Sequence, residues 1–246
     1  MPSQAIYIED FFGSLFDIIK IVQYNSIANQ YDEDIKKDLD NTKLEFELIE
    51  LTNISNPKGW KVLDVGCGSG IQIEFLAKKF PEIESLTGVD SSKSLIDLAL
   101  SSKKDARCNY IVSDMHNLPF EDQSFDFVYS RYTVHYSNDM CKVMNELYRI
   151  LKPGGMVYLQ VVHPIYELFK KKSKDYESTE EATFSPQTST LEIKHVTHTI
   201  SQYVNAALKS GLKLNNIEER FGGSSNIDSY RIPTVLILRL SKDINK

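Results

Sequence analysis

From Trp60 onward, short apolar runs alternate with helical patterns about every 20 to 25 residues. The apolar runs predict strands at Lys61–Val65, Ser85–Val89, Cys108–Val112, Phe125–Tyr129 and Met156–Val162. Apolar residues at helical spacing predict helices at Ile71–Phe80, Ser94–Ser101 and Met140–Leu151. Strands separated by helices cannot close as hairpins. They form βαβ units, so the chain is expected to build an α/β domain on a parallel sheet. Pro153-Gly154-Gly155 is expected to stop one helix and turn the chain into the next strand.

Residues 164–192 break this rhythm with a stretch rich in Lys, Ser, Thr and Glu. An insert of that length in a compact domain is either functional or disordered. The run Lys170–Lys172 is expected to be a solvated face. The rhythm resumes with a predicted helix at Ile200–Ser210, ended by Gly211, and predicted strands at Lys213–Glu218 and Thr234–Leu240. Before Trp60 the chain reads as helical. Phe11, Phe12, Leu15, Phe16, Ile18, Ile19 and Val22 form one amphipathic stretch, and Leu44, Phe46, Leu48, Ile49 and Leu51 a second. The turn cluster Asn56-Pro57-Lys58-Gly59 divides an N-terminal helical segment, residues 1–56, from a main domain, residues 57–246.

Composition narrows the functional classes. The chain has 246 residues, 41% of them hydrophobic and 25% charged, enough for a sizeable core. Lys and Arg number 28 against 34 Asp and Glu, a net charge of −6, which disfavours a nucleic-acid partner. Cys67, Cys108 and Cys141 form no CxxC pair and no disulfide framework. With an acidic N-terminus that lacks the basic region of a secretory signal, they predict a reducing, cytoplasmic setting. The Phe11–Val22 stretch is too short to cross a bilayer, so no membrane partner is expected. No ligand set has metal spacing, and no metal is expected.

The sharpest motif is Val62-Leu63-Asp64-Val65-Gly66-Cys67-Gly68-Ser69-Gly70, which ends a predicted strand and opens a predicted helix. Glycines there permit a tight turn and close approach of a ligand, beside the free N–H groups of the helix start. Asp90 ends the second predicted strand, where a carboxylate can accept from two ribose hydroxyls. Ser113-Asp114-Met115 ends the third, where an acid can accept from the amine of adenine and Met115 can pack on the ring. All three landmarks fall at the carboxyl ends of strands, where open α/β sheets bind ligands. A dinucleotide dehydrogenase fits less well. The loop is GxGxG, not GxGxxG, and Asp64 would repel a pyrophosphate while suiting an ammonium group.

In VLDVGCGSG, LTGVD, SDMHNLPFEDQSFDFVYSRYTVHY and ELYRILKPGG, over roughly residues 24–163, the sequence resembles the class I S-adenosylmethionine-dependent methyltransferases of small-molecule type. VHPI at 162–165 and HTISQYVNAAL at 198–208 resemble one branch of that family. The resemblance implies a Rossmann-like, seven-stranded, mostly parallel sheet with helices on both faces and an antiparallel last strand. It implies an N-terminal helix that closes over the cofactor, and the helical lid segment 1–56 and the insertion at about 164–198 are expected to build a lid over the carboxyl edge of the sheet.

It also implies roles by position. Asp64, Gly66, Cys67, Gly68 and Gly70 would hold the methionine part of S-adenosyl-L-methionine. Asp90 and Ser91 would hold the ribose, and Asp114 and Met115 the adenine. Ser130 or Arg131, at the end of the fourth strand, would lie beside the cofactor near the acceptor. YNSIANQYDE resembles the closing helix, which would aim Tyr24 and Tyr31 at the sulfonium. Cys67 is read as a small residue that fits the loop, not a nucleophile.

For the acceptor, His135, after the fourth strand, and His163, after the fifth, are candidate bases. Tyr24, His135, Tyr136, His163 and His198 are candidate substrate contacts. His116 is expected on a loop surface and His195 in solvent. The expected activity is transfer of a methyl group to N or O of a small molecule by direct in-line displacement, by a monomer or homodimer. The alternatives are an RNA (tRNA) base methyltransferase and a cofactor-binding protein without turnover.

Overall fold

The structure, a computed structural model, describes residues 24–34, 36, 57–184, 193–221, 226–227 and 230–244. The predicted stretches at Phe11–Val22 and Leu44–Leu51 lie outside the described residues. The N-terminal helix α1 spans 24–34. The main domain then runs β1 (Lys61–Val65), α2 (Ile71–Lys79), β2 (Ser85–Asp90), α3 (Lys93–Ser102), β3 (Cys108–Val112) and β4 (Phe125–Arg131). A single 3₁₀ turn (Val134–Tyr136) leads to α4 (Met140–Ile150), β5 (Leu151–Val162) and α5 (Pro164–Lys170). The hairpin β6 (Glu181–Phe184) and β7 (Ile193–Val196) precedes α6 (Ile200–Ser210) and β8 (Lys213–Arg220). A short pair, β9 (Asn226–Ile227) and β10 (Tyr230–Arg231), precedes the last strand, β11 (Val235–Ser241).

Among the described residues, seven strands form the main sheet in the order β3-β2-β1-β4-β5-β11-β8. The pairs from β3 to β5 are parallel, and β11 runs antiparallel to both β5 and β8. The strand order reverses at β1, which lies between β2 and β4. Crossovers leave to opposite faces there, and a crevice opens beyond the carboxyl ends of those strands.

Alternation along β1 divides the core. Val62 packs on one face with Ile73, Leu86, Ile96 and Tyr129. Leu63 packs on the other with Val128, Met144, Leu147 and Tyr203. Period-two alternation places neighbouring side chains on opposite faces. Both faces are apolar because helices cover both.

Local chemistry fixes the helix ends. Ser92 caps α3 by accepting from Leu95 N at 3.3 Å, and Asp139 caps α4 by accepting from Lys142 N at 3.0 Å. Thr199 and Gln202 form a reciprocal capping box at the start of α6. Gly211 ends α6 with φ 97°, a left-handed conformation that glycine adopts without strain.

The structure departs from the sequence reading in three places. The strand predicted at Met156 begins at Leu151, because α4 stops at Ile150 and Pro153-Gly154-Gly155 lies inside β5. Backbone bonds between Gly154 N and Lys242 O (2.9 Å) and between Lys242 N and Gly155 O (3.0 Å) hold that segment extended. The polar insert carries α5 and the β6–β7 hairpin, which its composition hid. Within the Lys170–Lys172 run, Lys171 is buried, not solvated. Its ammonium donates to the carbonyls of Asp175, Tyr176 and Ser178 and so organises the loop after α5.

Candidate active site

A cleft of about 790 Å³, counting its open mouth, lies at the carboxyl ends of β1, β2 and β3. Its floor begins in the glycine loop. Gly66 turns at φ +82°, and a Cβ there would sit 2.0 Å from Thr133 Oγ1. Gly70 turns at φ +79° against the Tyr110 ring, where a Cβ would meet Cε1 at 2.6 Å. Gly68 differs. At φ +55° its missing Cβ would meet only Tyr31, at 3.7 Å, so the space over it belongs to the cleft.

Asp90 ties the loop to β2. Its Oδ2 accepts from Gly68 N at 2.9 Å and its Oδ1 from Ser92 N at 2.9 Å. Burial raises the Asp90 pKa, and the backbone N–H groups of Ser92, Gly68 and Ser91 oppose that shift. A carboxylate has about four lone-pair positions, so capacity remains for ligand hydroxyls.

At the third strand, Asp114 Oδ1 accepts from His116 N at 2.8 Å and lies 2.7 Å from His116 Nδ1. Burial pushes the Asp114 pKa up, but the bonds from the His116 ring and backbone outweigh it and leave the group below the usual range. His116 Nε2 reaches Ser137 Oγ at 2.7 Å. His116 is therefore a buried bridge lining the cleft, not the surface residue its loop position suggested.

α1 covers the cleft. Asn25 Oδ1 accepts from Ser92 Oγ at 2.8 Å and from Ser94 N at 3.1 Å, which pins the helix to the start of α3. Tyr24 meets Tyr31 and Tyr136 edge to face at 5.5 and 5.7 Å, and the Tyr24 and Tyr136 hydroxyls lie 2.7 Å apart. Burial pushes the Tyr31 phenol up to about 12, so it stays neutral at physiological pH.

Of the expected cofactor contacts, Tyr24, Tyr31, Gly66, Gly68, Asp90, Ser91, Asp114 and Met115 line the cleft. Val65, Val89, Leu95, Ser113, Tyr132 and Thr133 line it too and were not foreseen. They follow from the fold, since each sits at or near a strand end or helix start. Tyr132 holds φ +53°, a strained position for a bulky residue, fixed by donation from its N–H to Gln160 O at 2.7 Å.

The other expected contacts lie outside the lining. Cys67 packs with the core beside Gly88, where a Cβ would meet its sulfur at 2.7 Å. Burial raises its thiol well above the ordinary value. Ser130 is buried and donates to Val65 O at 2.8 Å, and Arg131 Nε donates to Gln160 at 3.3 Å. Asp64 is buried below the loop near Tyr129 and Arg131. Burial pushes its pKa up to about 7 against the opposing effects of those two groups.

Among the expected acceptor contacts, Tyr24 and Tyr136 line the cleft and the histidines stand behind it. The His135 ring centroid lies 4.5 Å from that of Tyr136. His198 Nε2 donates to Ser137 O at 2.8 Å. His163 caps α5, its Nδ1 accepting from Ile165 N at 3.1 Å while its Nε2 faces Glu219 Oε1 at 2.8 Å. Burial lowers its pKa, with Glu219 opposing, so the ring is neutral and donates from Nε2. His195 overturns the solvated reading. It is buried, with Nε2 2.7 Å from Glu167 Oε1 and its ring centroid 5.1 Å from that of His135.

The cleft is acidic and aromatic. Asp90 and Asp114 line it, and among the described residues none that lines it is Lys or Arg. Such a lining repels a pyrophosphate and receives a cation. Among the described residues, no His, Cys, Asp and Glu form a group able to hold a metal ion. Among the described residues, no helix is long and apolar enough to cross a membrane.

Comparison with known proteins agrees with this geometry. The methyltransferase domain family matches residues 63–159. A demethylmenaquinone methyltransferase of Thermotoga maritima is 36% identical over 132 residues, 53% of this chain and 56% of the relative. A biotin biosynthesis bifunctional protein of Teredinibacter turnerae is 33% identical over 157 residues, 59% of this chain and 27% of the relative. The chain thus spans less than two thirds of the length of either relative. The crystal structure of an S-adenosylmethionine-dependent methyltransferase from Mesorhizobium loti superposes with TM-score 0.63 at 20% identity, covering 82% of this chain and 99% of that one. By its domain match over residues 63–159, its relatives and its sheet order, the chain is similar to the class I S-adenosylmethionine-dependent methyltransferases and shares their fold.

Proposed function

We propose that the protein binds S-adenosyl-L-methionine in this cleft and transfers its methyl group to N or O of a small molecule. The observation that carries the reading is the lining itself. An acid held by loop amides, a second acid at the third strand and tyrosines from α1 converge on a space with no basic side chain among the described residues. A nucleoside carrying a sulfonium and an ammonium fits those groups. Asp90 and Ser91 would bind the ribose, and Asp114 and Met115 the adenine. Gly66 and Gly68 would let the backbone approach the amino-acid part, and Gly70 makes the turn against Tyr110 that shapes the loop. Asp64 would set a negative potential behind the loop, with Cys67, Ser130 and Arg131 as packing behind the contact layer.

When bound, the sulfonium supplies an already activated methyl group. The protein's work is alignment and exclusion of water. α1 covers the cleft, and Tyr24, Tyr31 and Tyr136 present neutral aromatic faces to positive charge. His135 supports Tyr136 from behind, and His163 and His198 hold the elements around it.

The net charge of −6 and a cleft with no basic lining among the described residues support a small-molecule acceptor over RNA. The two relatives carry names from different pathways, so neither supplies the acceptor. Calorimetry tests the reading. S-adenosylmethionine and S-adenosylhomocysteine should each bind one to one, and NAD should not. Binding of NAD alone would overturn it.

A further inference from the structure

Asp114, at the end of the third strand, is held through one oxygen. Its Oδ1 takes both the backbone N–H of His116, at 2.8 Å, and the contact with the ring nitrogen Nδ1, at 2.7 Å. A turn closed by an aspartate on the residue two positions later is local, so it forms wherever this sequence leaves β3. Both bonds fall on Oδ1, which leaves Oδ2 for a ligand in the cleft that Asp114 and Met115 line.

The far side of the ring decides which nitrogen carries the proton. His116 Nε2 lies 2.7 Å from Ser137 Oγ. Ser137 is fully buried, and its Oγ already accepts from Asp139 N at 2.9 Å. A hydroxyl has one proton to give, and among the described residues the acceptor facing it is Nε2. Nε2 is then the lone-pair nitrogen and Nδ1 the donor, matched to a carboxylate that only accepts. The bonds from His116 hold the Asp114 pKa below the usual range, so the carboxylate is ionised. From Asp139 N–H through Ser137 O–H and His116 N–H to Asp114, each donor meets one acceptor.

We propose that His116 is a positioning residue that fixes Asp114 Oδ2 as an acceptor toward the base, so that the cleft takes a 6-aminopurine and rejects its 6-oxo counterpart. The inference rests on the methyl-donor reading of the cleft, with adenine at Asp114. A 6-amino group has an N–H to give to Oδ2. A 6-oxo group sets a second acceptor against it. A carboxylate pinned at Oδ1 and ionised can neither turn away nor supply a proton. A site that confronts two acceptors leaves both unpaired and rejects the mismatched ligand strongly. His116 does this without touching the base, because its ring nitrogens are spent on Asp114 and Ser137.

The test is calorimetry on the full chain with S-adenosylhomocysteine and S-inosylhomocysteine, which differ at the 6-position of the purine. The wild type should prefer the amino form by at least about 100-fold. His116→Asn keeps an amide N–H near the place of Nδ1 and should hold that ratio within about 3-fold. His116→Gln carries its amide to the place of Nε2 instead, and should lower the ratio by about 10-fold, as should His116→Ala. Asp114→Asn is the sharpest variant. The two N–H groups of His116 would keep the amide oxygen at the place of Oδ1 and turn its NH₂ toward the base, so the preference should invert to the 6-oxo form.

A second readout needs no ligand. In ¹⁵N-histidine spectra of the wild type, His116 Nδ1 should carry a proton, and a bare Nδ1 would overturn the proposal. So would a ratio unchanged in His116→Gln, or an Asp114→Asn variant that weakens both ligands by the same factor, which is the result of a purely structural bridge. Asn and Gln both fill the site, so their comparison decides the matter even if His116→Ala does not fold. A wild type that binds neither ligand would overturn the methyl-donor reading, and the proposal with it, before any variant is measured.

Discussion

The backbone N–H of Gly68 donates to Asp90 Oδ2 at 2.9 Å, joining the glycine loop after β1 to the end of β2. The bond sets the loop's shape and orients the carboxylate at the cleft. Asp90→Ala removes the acceptor for Gly68 and Ser92 and the proposed ribose contact together. Hydrogen bonds to charged groups contribute about 1.5–3 kcal/mol each. Calorimetry should therefore show affinity for S-adenosylhomocysteine reduced by at least about 100-fold, with the circular dichroism spectrum unchanged. Wild-type affinity in this variant would place the ribose elsewhere.

Gly66 and Gly68 both turn at positive φ but should respond differently to substitution. In Gly66→Ala the new methyl group overlaps Thr133, so backbone strain adds to overpacking and stability should fall by about 2–5 kcal/mol. In Gly68→Ala the methyl group meets only Tyr31, at an ordinary contact distance of 3.7 Å, so the cost should be the left-handed conformation alone, about 1–2 kcal/mol. Chemical denaturation of both variants measures the difference. Equal losses would mean that the Thr133 contact relaxes freely.

Asp64 should link ligand binding to protons. Its pKa is raised from 3.8 to about 7, so the ligand-free protein retains a proton there that the unfolded chain gives up. The stability from that protonated group is full below pH 3.8 and lost as pH rises through about 7. Asp64→Asn should therefore gain in Tm over the wild type as pH rises from 5 to 8. A nearby ligand cation favours the ionised form, so binding at pH 6 should release part of a proton. Calorimetry in buffers of different ionisation enthalpy reads that release, and Asp64→Asn should abolish it. Identical apparent enthalpies in every buffer would separate Asp64 from the ligand's charge.

The cover over the cleft depends on Asn25, which accepts from Ser92 Oγ and Ser94 N. Asn25→Ala should loosen α1 and speed dissociation of S-adenosylhomocysteine by about 10-fold, the equivalent of one or two ordinary hydrogen bonds. Stopped-flow displacement measures it. An unchanged off-rate would mean that the tyrosine contacts alone hold the helix.

The parts of this account that were legible in the sequence are local. β1, the loop and the acid ending β2 lie within one βαβ unit, where each residue type answers a backbone requirement. The last strand is another case, because Thr234–Leu240 reads as an apolar run and its antiparallel direction came with the family resemblance. What escaped depends on contacts between distant elements. His116 looked like a loop residue because nothing local announces Ser137, which comes 21 positions later. The β6–β7 hairpin was hidden by polar composition, although Ile193 and His195 are buried on either side of exposed Lys194. That period-two alternation was the available signal, and its few residues were too short to stand out.

The most direct test of the central claim is a crystal structure with S-adenosylhomocysteine. The account predicts the ligand in the β1–β2–β3 cleft, with its ribose hydroxyls on Asp90 and its adenine beside Asp114 and Met115. A ligand bound elsewhere, or in the cleft without touching Asp90, would contradict it.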